Sequence, residues 1–146
     1  MSRFVVIGGA NVDIMGIADH SLRPQDSNPG TIRTMLGGVG RNLAENLARL
    51  GENVSLVSVV GDDSFGHWIL EQGQACGVDM RWVQSLPDQR TSAFLAILDP
   101  DHDLHSAIAD MTILNQLDQA CLRPVLNSLQ PEDLLIWDTN LNPELI

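Results

Sequence analysis

Three short runs of mainly apolar residues constrain the fold of this chain more than any other feature. They extend from Phe4 to Ile7, from Val54 to Val60 and from Leu134 to Trp137, and the first is continuous and rich in β-branched side chains. Apolar runs of this length are typical of strands buried on both faces, as in parallel sheets. Helical patterns separate the runs, and strands that alternate with helices indicate an α/β fold. The chain has 146 residues, enough for one domain, and we expect a mostly parallel sheet.

Three segments between these runs have helical patterns. The first carries its apolar residues at the helical period and ends at Gly51. The second follows the segment Gly61-Asp62-Asp63-Ser64, which offers residues that cap a helix, and ends before Gly77. The third extends from Thr112 to Leu129, with a new helix expected to start at Pro124.

Two further pairs of strands interrupt this alternation, near residues 12–36 and 92–109. The first pair encloses a polar loop from Asp19 to Gly30, and the second encloses the turn-rich segment Asp99 to Asp103. A short strand is also expected from Arg81 to Val83. The two extra pairs predict a small accessory β layer beside the main sheet.

The balance of charges excludes several kinds of chemistry. All eight basic residues are Arg, against 19 Asp and Glu, and the formal net charge is −11. A P-loop needs a Lys to reach nucleotide phosphates, and Schiff-base chemistry needs a Lys amine, so neither is present. An acidic chain without a basic patch does not favour nucleic acid as a partner. The N-terminal apolar run is too short for a signal sequence or a membrane span, so we expect a cytoplasmic protein with no membrane partner.

A glycine-rich segment, Gly37 to Gly40, comes directly before the first helix. Glycines allow a ligand to approach the backbone, and the free N–H groups at a helix N-terminus attract oxygens and anions. The same glycines are equally compatible with a tight turn that packs the helix against the sheet. Leu43 stands where the dinucleotide-binding fingerprint requires a third glycine, so that fingerprint is not matched.

Asn11 and Asp13 follow the first apolar run, at the end of the strand where open α/β sheets bind ligands. Two residues apart in an extended segment, their side chains share a face. A carboxylate that accepts from hydroxyls beside an amide that donates and accepts suits a polyol, while local turn formation is the alternative. No metal site is predicted: Asp62 and Asp63 suit helix capping, and Asp99 to Asp103 lacks the glycine of a calcium loop.

Several segments stand in a characteristic order along the chain. They are Ile7-Gly8-Gly9-Ala10-Asn11-Val12-Asp13, Gly37-Gly38-Val39-Gly40-Arg41-Asn42-Leu43-Ala44, Leu50-Gly51, Gly61-Asp62-Asp63-Ser64-Phe65-Gly66 and Gly77-Val78-Asp79. In order and spacing the chain resembles the ribokinase-like, or PfkB, family of sugar and nucleoside kinases over nearly its whole length. Within the family it is most similar to pseudouridine kinases, through Asp26-Ser27-Asn28-Pro29-Gly30, the glycine-rich segment with Arg41 and Asn42, and Ala107-Ile108-Ala109-Asp110-Met111.

The resemblance implies a fold, a reaction and a site. The expected fold is the N-terminal part of a three-layer α/β/α structure, in which the accessory strands form a lid over the substrate and support a homodimer. Members of the family transfer the γ-phosphate of ATP to a primary hydroxyl of a sugar or nucleoside. The expected substrate contacts are Asn11, Asp13, Gly37, Gly38, Asn42 and Asn140. The lid positions expected to contact a base are Ser27, Asn28, Asp110 and Met111.

The resemblance also implies that a large part of the enzyme lies outside this chain, because family members are about twice as long. Their second half carries the catalytic Asp, which we expect beyond Ile146, together with the magnesium-associated segment and the adenine site. We therefore expect residues 1–146 to be the substrate-binding half of a kinase that uses ATP and Mg²⁺ at full length. This half would bind neither cofactor, hold no catalytic residue and be inactive alone. The alternatives are a kinase of a free sugar or of another nucleoside, or a sugar-binding module without catalytic activity.

Overall fold

The computed structural model describes residues 2–145, which form two four-stranded sheets and three α-helices. The strands in chain order are β1 (Phe4–Ile7), β2 (Asn11–Ala18), β3 (Gly30–Gly37), β4 (Val54–Gly61), β5 (Asp79–Leu86), β6 (Ala93–Leu98), β7 (Leu104–Asp110) and β8 (Leu134–Trp137). The helices are α1 (Val39–Arg49), α2 (Ser64–Ala75) and α3 (Gln119–Asn127), and 3₁₀ turns occupy Thr112–Gln116 and Pro143–Leu145. Ile146, beyond which the catalytic Asp is expected, lies outside the described residues.

The main sheet has the strand order β5-β4-β1-β8, and each of its neighbouring strands is parallel. Strand β1 lies between β4 and β8, and its first residue, Phe4, is paired with Val54 of β4 and with Leu134 of β8. The three apolar runs of the sequence are therefore three adjacent strands, which confirms the predicted parallel α/β sheet. Their carboxyl ends meet at one edge of the sheet, the edge at which such sheets bind ligands.

Helices cover both faces of the main sheet, so the molecule has three layers. Val6 and Leu56 point into a core formed with residues of α1 and α2. Val5 and Ile7 point the other way, into a second core with the Thr112–Gln116 turn and α3. This alternation of side chains along one strand is the reason why a continuous apolar run is needed there. No helix within residues 2–145 has the length and apolar character needed to cross a membrane.

The second sheet, which we call the accessory sheet, has the order β3-β2-β6-β7. Its β2–β3 and β6–β7 pairs are antiparallel, and β2 runs parallel to β6 in the middle. The strands correspond to the two pairs predicted near residues 12–36 and 92–109, and they confirm the accessory layer. The outer strands β3 and β7 are exposed along most of their length.

The structure corrects two of the predicted elements. Strand β5 has eight residues instead of the three from Arg81 to Val83, because it pairs with β4 over its full length. The predicted helix from Thr112 to Leu129 is a 3₁₀ turn followed by α3, with Pro124 inside the helix instead of at its start. The carboxylate of Asp118 caps α3 by accepting from the Cys121 N–H at 2.9 Å, and this cap determines where the helix begins.

The cap of α2 also connects that helix to the accessory sheet. As predicted, Asp63 is the N-cap, and its Oδ1 accepts from the Gly66 N–H at 2.8 Å and from the Thr91 hydroxyl at 2.7 Å. Its Oδ2 accepts from the Thr91 N–H at 2.9 Å, just before β6 begins. Burial by itself would raise the pKa of Asp63, but the hydrogen bonds from Thr91 and Gly66 outweigh it and lower the pKa below its ordinary value.

Candidate functional site

A cleft of about 450 Å³ lies between the carboxyl ends of β1 and β8, the start of α1 and the accessory sheet. It is lined by Gly9, Asn11, Asp13, Gly38, Val39, Asn42, Phe94, Met111, Leu114, Asp138 and Asn140. All the predicted substrate contacts except Gly37 therefore come together at one place. Gly37 does not line the cleft itself but supports one of these residues.

Asn11 and Asp13 begin β2 and share a face of the accessory sheet, as their spacing predicts. Nδ2 of Asn11 donates to Oδ1 of Asp13 at 2.6 Å, which joins the two side chains into one polar unit. The amide oxygen of Asn11 and the second carboxylate oxygen of Asp13 are then acceptors at the cleft. A Cβ at Gly37 would lie 2.4 Å from Oδ2 of Asp13, so the glycine provides the space that this carboxylate occupies.

The glycine-rich segment forms a tight turn and also opens the start of α1 to the cleft. Gly38 has a φ of 96°, and a Cβ there would lie 2.4 Å from the carbonyl oxygen of Gly9. Gly40 approaches β1 equally closely, since its Cβ would lie 2.6 Å from the Cα of Gly8. As the N-cap, Gly38 offers no side-chain cap. The N–H of Arg41 donates to the carbonyl of Gly9 at 3.1 Å, so the N–H groups of Val39 and Gly40 are the ones left for ligand oxygens. The structure is thus compatible with both interpretations of these glycines, a tight turn that packs the helix against the sheet and a helix start that a ligand can approach.

Asn42 lies in the first turn of α1 and presents one end of its amide to the cleft. Nη2 of Arg41 donates to Oδ1 of Asn42 at 2.6 Å. Because the oxygen is held by a guanidinium, the NH₂ group of Asn42 is the end left for a ligand. A hydrogen-bond donor therefore lies in the same cleft as the acceptors of Asn11 and Asp13.

Asp138 is a cleft residue that the sequence analysis did not single out. It follows β8 directly, is 3% exposed, and its Oδ2 accepts from the Gly9 N–H at 3.1 Å. Its Oδ1 accepts from the backbone N–H of Asn140 at 2.9 Å and from Nδ2 of Asn140 at 2.8 Å. The amide oxygen of Asn140 is therefore the end presented to a ligand. An Asp at the carboxyl end of a buried parallel strand is the sequence signal for this residue.

Apolar side chains form a second wall of the cleft. Phe94 of β6 lies opposite Asp13 in the register of the accessory sheet and is half-buried. Met111 and Leu114 close the wall at the end of β7 and in the following 3₁₀ turn. Met111 was a predicted lid position, whereas Phe94 and Leu114 were not predicted. The place of Phe94 depends on the pairing of β6 with β2, which no local pattern of the sequence indicates.

The other predicted lid positions lie outside this cleft. Asn28 lies in the loop between β2 and β3, where its amide accepts from the Arg23 N–H and donates to the carbonyls of Arg23 and Asp26. It borders a different cavity of about 310 Å³ at the far end of the accessory sheet, and Ser27 beside it is exposed. Asp110 is exposed and accepts from the N–H and hydroxyl of Thr112. A role of these three residues in base recognition stays a prediction.

The charged side chains that line the cleft are two carboxylates, Asp13 and Asp138. Within residues 2–145, no three His, Cys, Asp or Glu side chains come together in a way that could hold a metal ion. A negatively charged lining with amides and helix N–H groups fits the hydroxyls of a neutral polyol. It does not fit the triphosphate of a nucleotide, which needs cationic partners. The catalytic Asp expected beyond Ile146 stays a prediction, since that position lies outside the described residues.

Known proteins resemble this chain closely in sequence and in fold. It is 41% identical over 142 residues to an uncharacterized sugar kinase, YeiI, of Escherichia coli, with 97% of this chain and 39% of that protein aligned. It is 38% identical over 142 residues to the pseudouridine kinase of Escherichia coli, with 97% of this chain and 45% of that protein aligned. The chain thus spans less than half the length of these curated relatives.

A solved structure and a family model agree with these relatives. The structure of a carbohydrate kinase from Agrobacterium tumefaciens superposes with a TM-score of 0.85 at 33% identity, over 99% of this chain and 48% of that one. The family model for pfkB family carbohydrate kinases matches residues 1–145. Because the match covers nearly the whole chain and the fold agrees as well, this chain belongs to the pfkB family of carbohydrate kinases.

Proposed function

We propose that the chain is the substrate-binding part of a kinase that phosphorylates the ribose 5-hydroxyl of a nucleoside. The observation that carries this proposal is the Asn11–Asp13 pair, seated on Gly37 and facing the open start of α1. The pair offers acceptors for neighbouring hydroxyls, and Asn42 and the N–H groups of Val39 and Gly40 offer donors in the same cleft. Such an arrangement offers both acceptors and donors to the two hydroxyls of a ribose ring.

In the proposed reaction, the ribose hydroxyl oxygen forms a bond to the γ-phosphorus of ATP while the bond from that phosphorus to ADP breaks. The residues of this chain bind and orient the acceptor, which is the positioning on which phosphoryl transfer depends. Asp13 accepts from the sugar hydroxyls, and Asn11 holds the carboxylate in place. The group that removes the hydroxyl proton belongs to the part of the kinase outside this chain.

The proposed substrate is pseudouridine. The 38% identity to a pseudouridine kinase supports it, and the wall of Phe94, Met111 and Leu114 offers an apolar surface for a planar base. A free sugar or another nucleoside is the second candidate, favoured by the 41% identity to a sugar kinase of uncharacterized specificity. Contact with Phe94 would distinguish a nucleoside from a free sugar, since a nucleoside has a base that can stack on the ring and a free sugar has none.

ATP and Mg²⁺ would bind to the part of the enzyme outside this chain. The cleft is lined by two carboxylates and by no cationic side chain, so its residues do not fit the phosphates of ATP. Within residues 2–145, a magnesium site made of several carboxylates is also not formed. A cytoplasmic location belongs to the same proposal, because ATP is the phosphoryl donor.

We also propose that a second copy of the chain covers the outer face of the accessory sheet. Register pairs place Ile32, Leu95, Ile97 and Ile108 on the face opposite Asp13. Ile32 is 75% exposed and Ile108 is 67% exposed, so this face carries apolar area that a symmetric partner could bury.

Calorimetric titration of the chain with pseudouridine, uridine and ribose tests the binding proposal. We expect pseudouridine to bind best, and Asp13→Ala to abolish binding while leaving the chain folded, whereas the exposed hairpin variant Asp101→Ala binds normally. Equal affinity for ribose would refute the pseudouridine assignment, and unchanged affinity of Asp13→Ala would remove this carboxylate from the site.

The coding sequence beyond Ile146 tests the kinase proposal separately. A continuing frame that encodes the catalytic Asp implied by the family resemblance, in a Gly-x-Gly-Asp segment, would support it. We then expect that longer protein to phosphorylate pseudouridine with ATP and Mg²⁺. A stop codon at this position would favour a binding module without catalytic activity.

A further inference from the structure

We propose that Arg41 is a positioning residue that keeps the NH₂ group of Asn42 turned toward the cleft and couples this orientation to the end of strand β3. The inference rests on the proposed binding of a sugar or nucleoside in the cleft. Arg41 itself does not line the cleft; it would act through Asn42, which does.

The guanidinium of Arg41 joins three parts of the structure. Nε donates to the carbonyl of Gly37 at 3.1 Å, and Nη2 donates to the carbonyl of Leu36 at 3.2 Å, so the last two residues of β3 are held. Nη2 also donates to Oδ1 of Asn42 at 2.6 Å. Nη1 donates to Glu45 one turn further along α1. A planar guanidinium can satisfy these acceptors together, whereas an ammonium group cannot.

The position of Arg41 is itself determined by its surroundings. The Arg41 side chain is 11% exposed. Its partner Glu45 also accepts from Arg49, whose Nη2 donates to Oε1 of Glu45 at 2.6 Å. A side chain that is buried and bonded at every nitrogen has little freedom to rotate. The guanidinium is therefore a rigid support for the amide beside it.

The charge of Arg41 decides which end of the Asn42 amide faces the cleft. If the amide were rotated by half a turn, its NH₂ group would face the donors of the guanidinium, and two sets of donors would oppose each other. The observed orientation places the amide oxygen on the cation and the NH₂ group at the ligand side. Asn42 thus becomes a donor for a substrate oxygen, complementary to the acceptors of Asn11 and Asp13.

The same contacts connect the site to the accessory sheet. Strand β3 is an edge strand that is exposed from Gly30 to Met35, and its end is held by Arg41. Gly37 at this end also supports the Asp13 carboxylate. A movement of β3 would therefore displace Asp13 and Asn42 together, so Arg41 couples these two polar side chains to the accessory sheet.

Nuclear magnetic resonance of the ligand-free chain tests the orientation directly. We compare the side-chain amide signals of Asn42 in the unmodified chain, in Arg41→Lys and in the matched control Arg49→Lys, which changes a contact of Glu45 but not of Asn42. We expect Arg41→Lys to shift the Asn42 amide signals and Arg49→Lys to leave them in place. Unchanged Asn42 signals in Arg41→Lys would overturn the inference.

A double-mutant cycle with calorimetry tests the consequence for binding, with pseudouridine and ribose as probes. We expect Arg41→Lys to weaken binding about tenfold when Asn42 is present and less than twofold in the Asn42→Ala background. If Arg41→Lys abolished ligand binding both with Asn42 present and in the Asn42→Ala background, Arg41 would act on the fold alone. That result would overturn the inference. If the unmodified chain bound neither probe, the proposed function would fail, while the resonance comparison would still decide the role of Arg41.

Asn42→Asp provides a second variant that keeps the fold. The new carboxylate keeps the contact with Arg41 but offers the cleft an acceptor in place of a donor. We expect an unchanged melting temperature and a loss of binding as large as that of Asn42→Ala. Binding at the level of the unmodified chain would show that no donor is needed at this position and would overturn the inference.

Discussion

The carboxylate of Asp13 lies against the Cα atom of Gly37, in the space that a side chain at position 37 would fill. A Cβ there would lie 2.4 Å from Oδ2 and 2.6 Å from Oδ1 of Asp13. The two residues are neighbours in the antiparallel pair of β2 and β3, at the point where the accessory sheet joins the start of α1. Because Gly37 has no side chain, the carboxylate of Asp13 can occupy this position.

Gly37→Ala should displace Asp13 and weaken ligand binding while leaving the chain folded. The backbone of Gly37 does not have a positive φ, so alanine fits the conformation and only the flexible carboxylate has to move. We expect at least a tenfold loss of affinity for pseudouridine by calorimetry. Gly16→Ala is the matched control on the same strand pair, because the nearest atom to its Cβ lies at 4.0 Å. Equal affinities of the two variants would contradict this explanation of Gly37.

Asp138→Asn should destabilise the chain and disturb Asn140. The buried carboxylate accepts three hydrogen bonds, and an amide in its place would turn a donor toward one of those N–H groups. A buried donor left without a partner costs about 1–3 kcal/mol of unfolding free energy. Urea denaturation measures the loss, with Asp101→Asn on the exposed hairpin tip as the control. A stability equal to that of the control would show that the charge at position 138 is not needed.

Acid should weaken the contact between α2 and the approach to β6 through Asp63. Its pKa is lower in the folded chain than in the unfolded chain, so its contribution to stability is complete above the unfolded pKa, near 4. The contribution disappears as the pH falls through the lower folded pKa. Asp63→Asn removes this titration, so its unfolding free energy should change less between about pH 5 and pH 2, a range that includes the unfolded pKa.

The same variant should also be less stable at neutral pH, by about 1–3 kcal/mol, because the amide keeps an acceptor for the Gly66 N–H but turns a donor toward the Thr91 N–H. Thermal unfolding at a series of pH values measures both effects. Parallel pH profiles for Asp63→Asn and the unmodified chain would assign the acid sensitivity to other carboxylates.

Phe94→Ala should separate the binding of a base from the binding of a sugar. The ring lies on the same face of the accessory sheet as Asp13 and forms part of the apolar wall. Stacking of a base on an aromatic side chain contributes about 1–3 kcal/mol. We expect the affinity for pseudouridine to fall about tenfold and the affinity for ribose to stay the same. An equal loss for both ligands would mean that the ring shapes the sugar site.

Ile108→Asp should prevent the proposed self-association through the outer face of the accessory sheet. The new charge would be buried without a partner in the interface, which is strongly unfavourable. Sedimentation velocity should show a dimer for the unmodified chain and a monomer for the variant. Leu126→Asp on α3, at a side chain that is 41% exposed, is the control and should remain dimeric. A monomeric unmodified chain would refute the proposal.

Local patterns were sufficient to predict much of the fold. Apolar runs and their helical intervals predicted the parallel sheet, and the polar segments before Ser64 and after Leu98 predicted a helix cap and a hairpin. The prediction failed between Thr112 and Leu129, where a 3₁₀ turn and the cap at Asp118 replace a continuous helix. Helical periodicity does not distinguish these cases, because a short turn and a helix both place apolar residues on one side.

The sequence by itself determined most of the elements, the glycine turn before α1 and the Asn11–Asp13 pair, since each depends on residues close together in the chain. Only the tertiary structure decided that Asp138 bonds to Gly9, that Phe94 lies beside Asp13, and that Asn28 lies away from the cleft. These relationships depend on which strands become neighbours. Strand pairing is set by the burial of faces across the whole domain and by loop closure over many residues, and neither leaves a signal in any short segment.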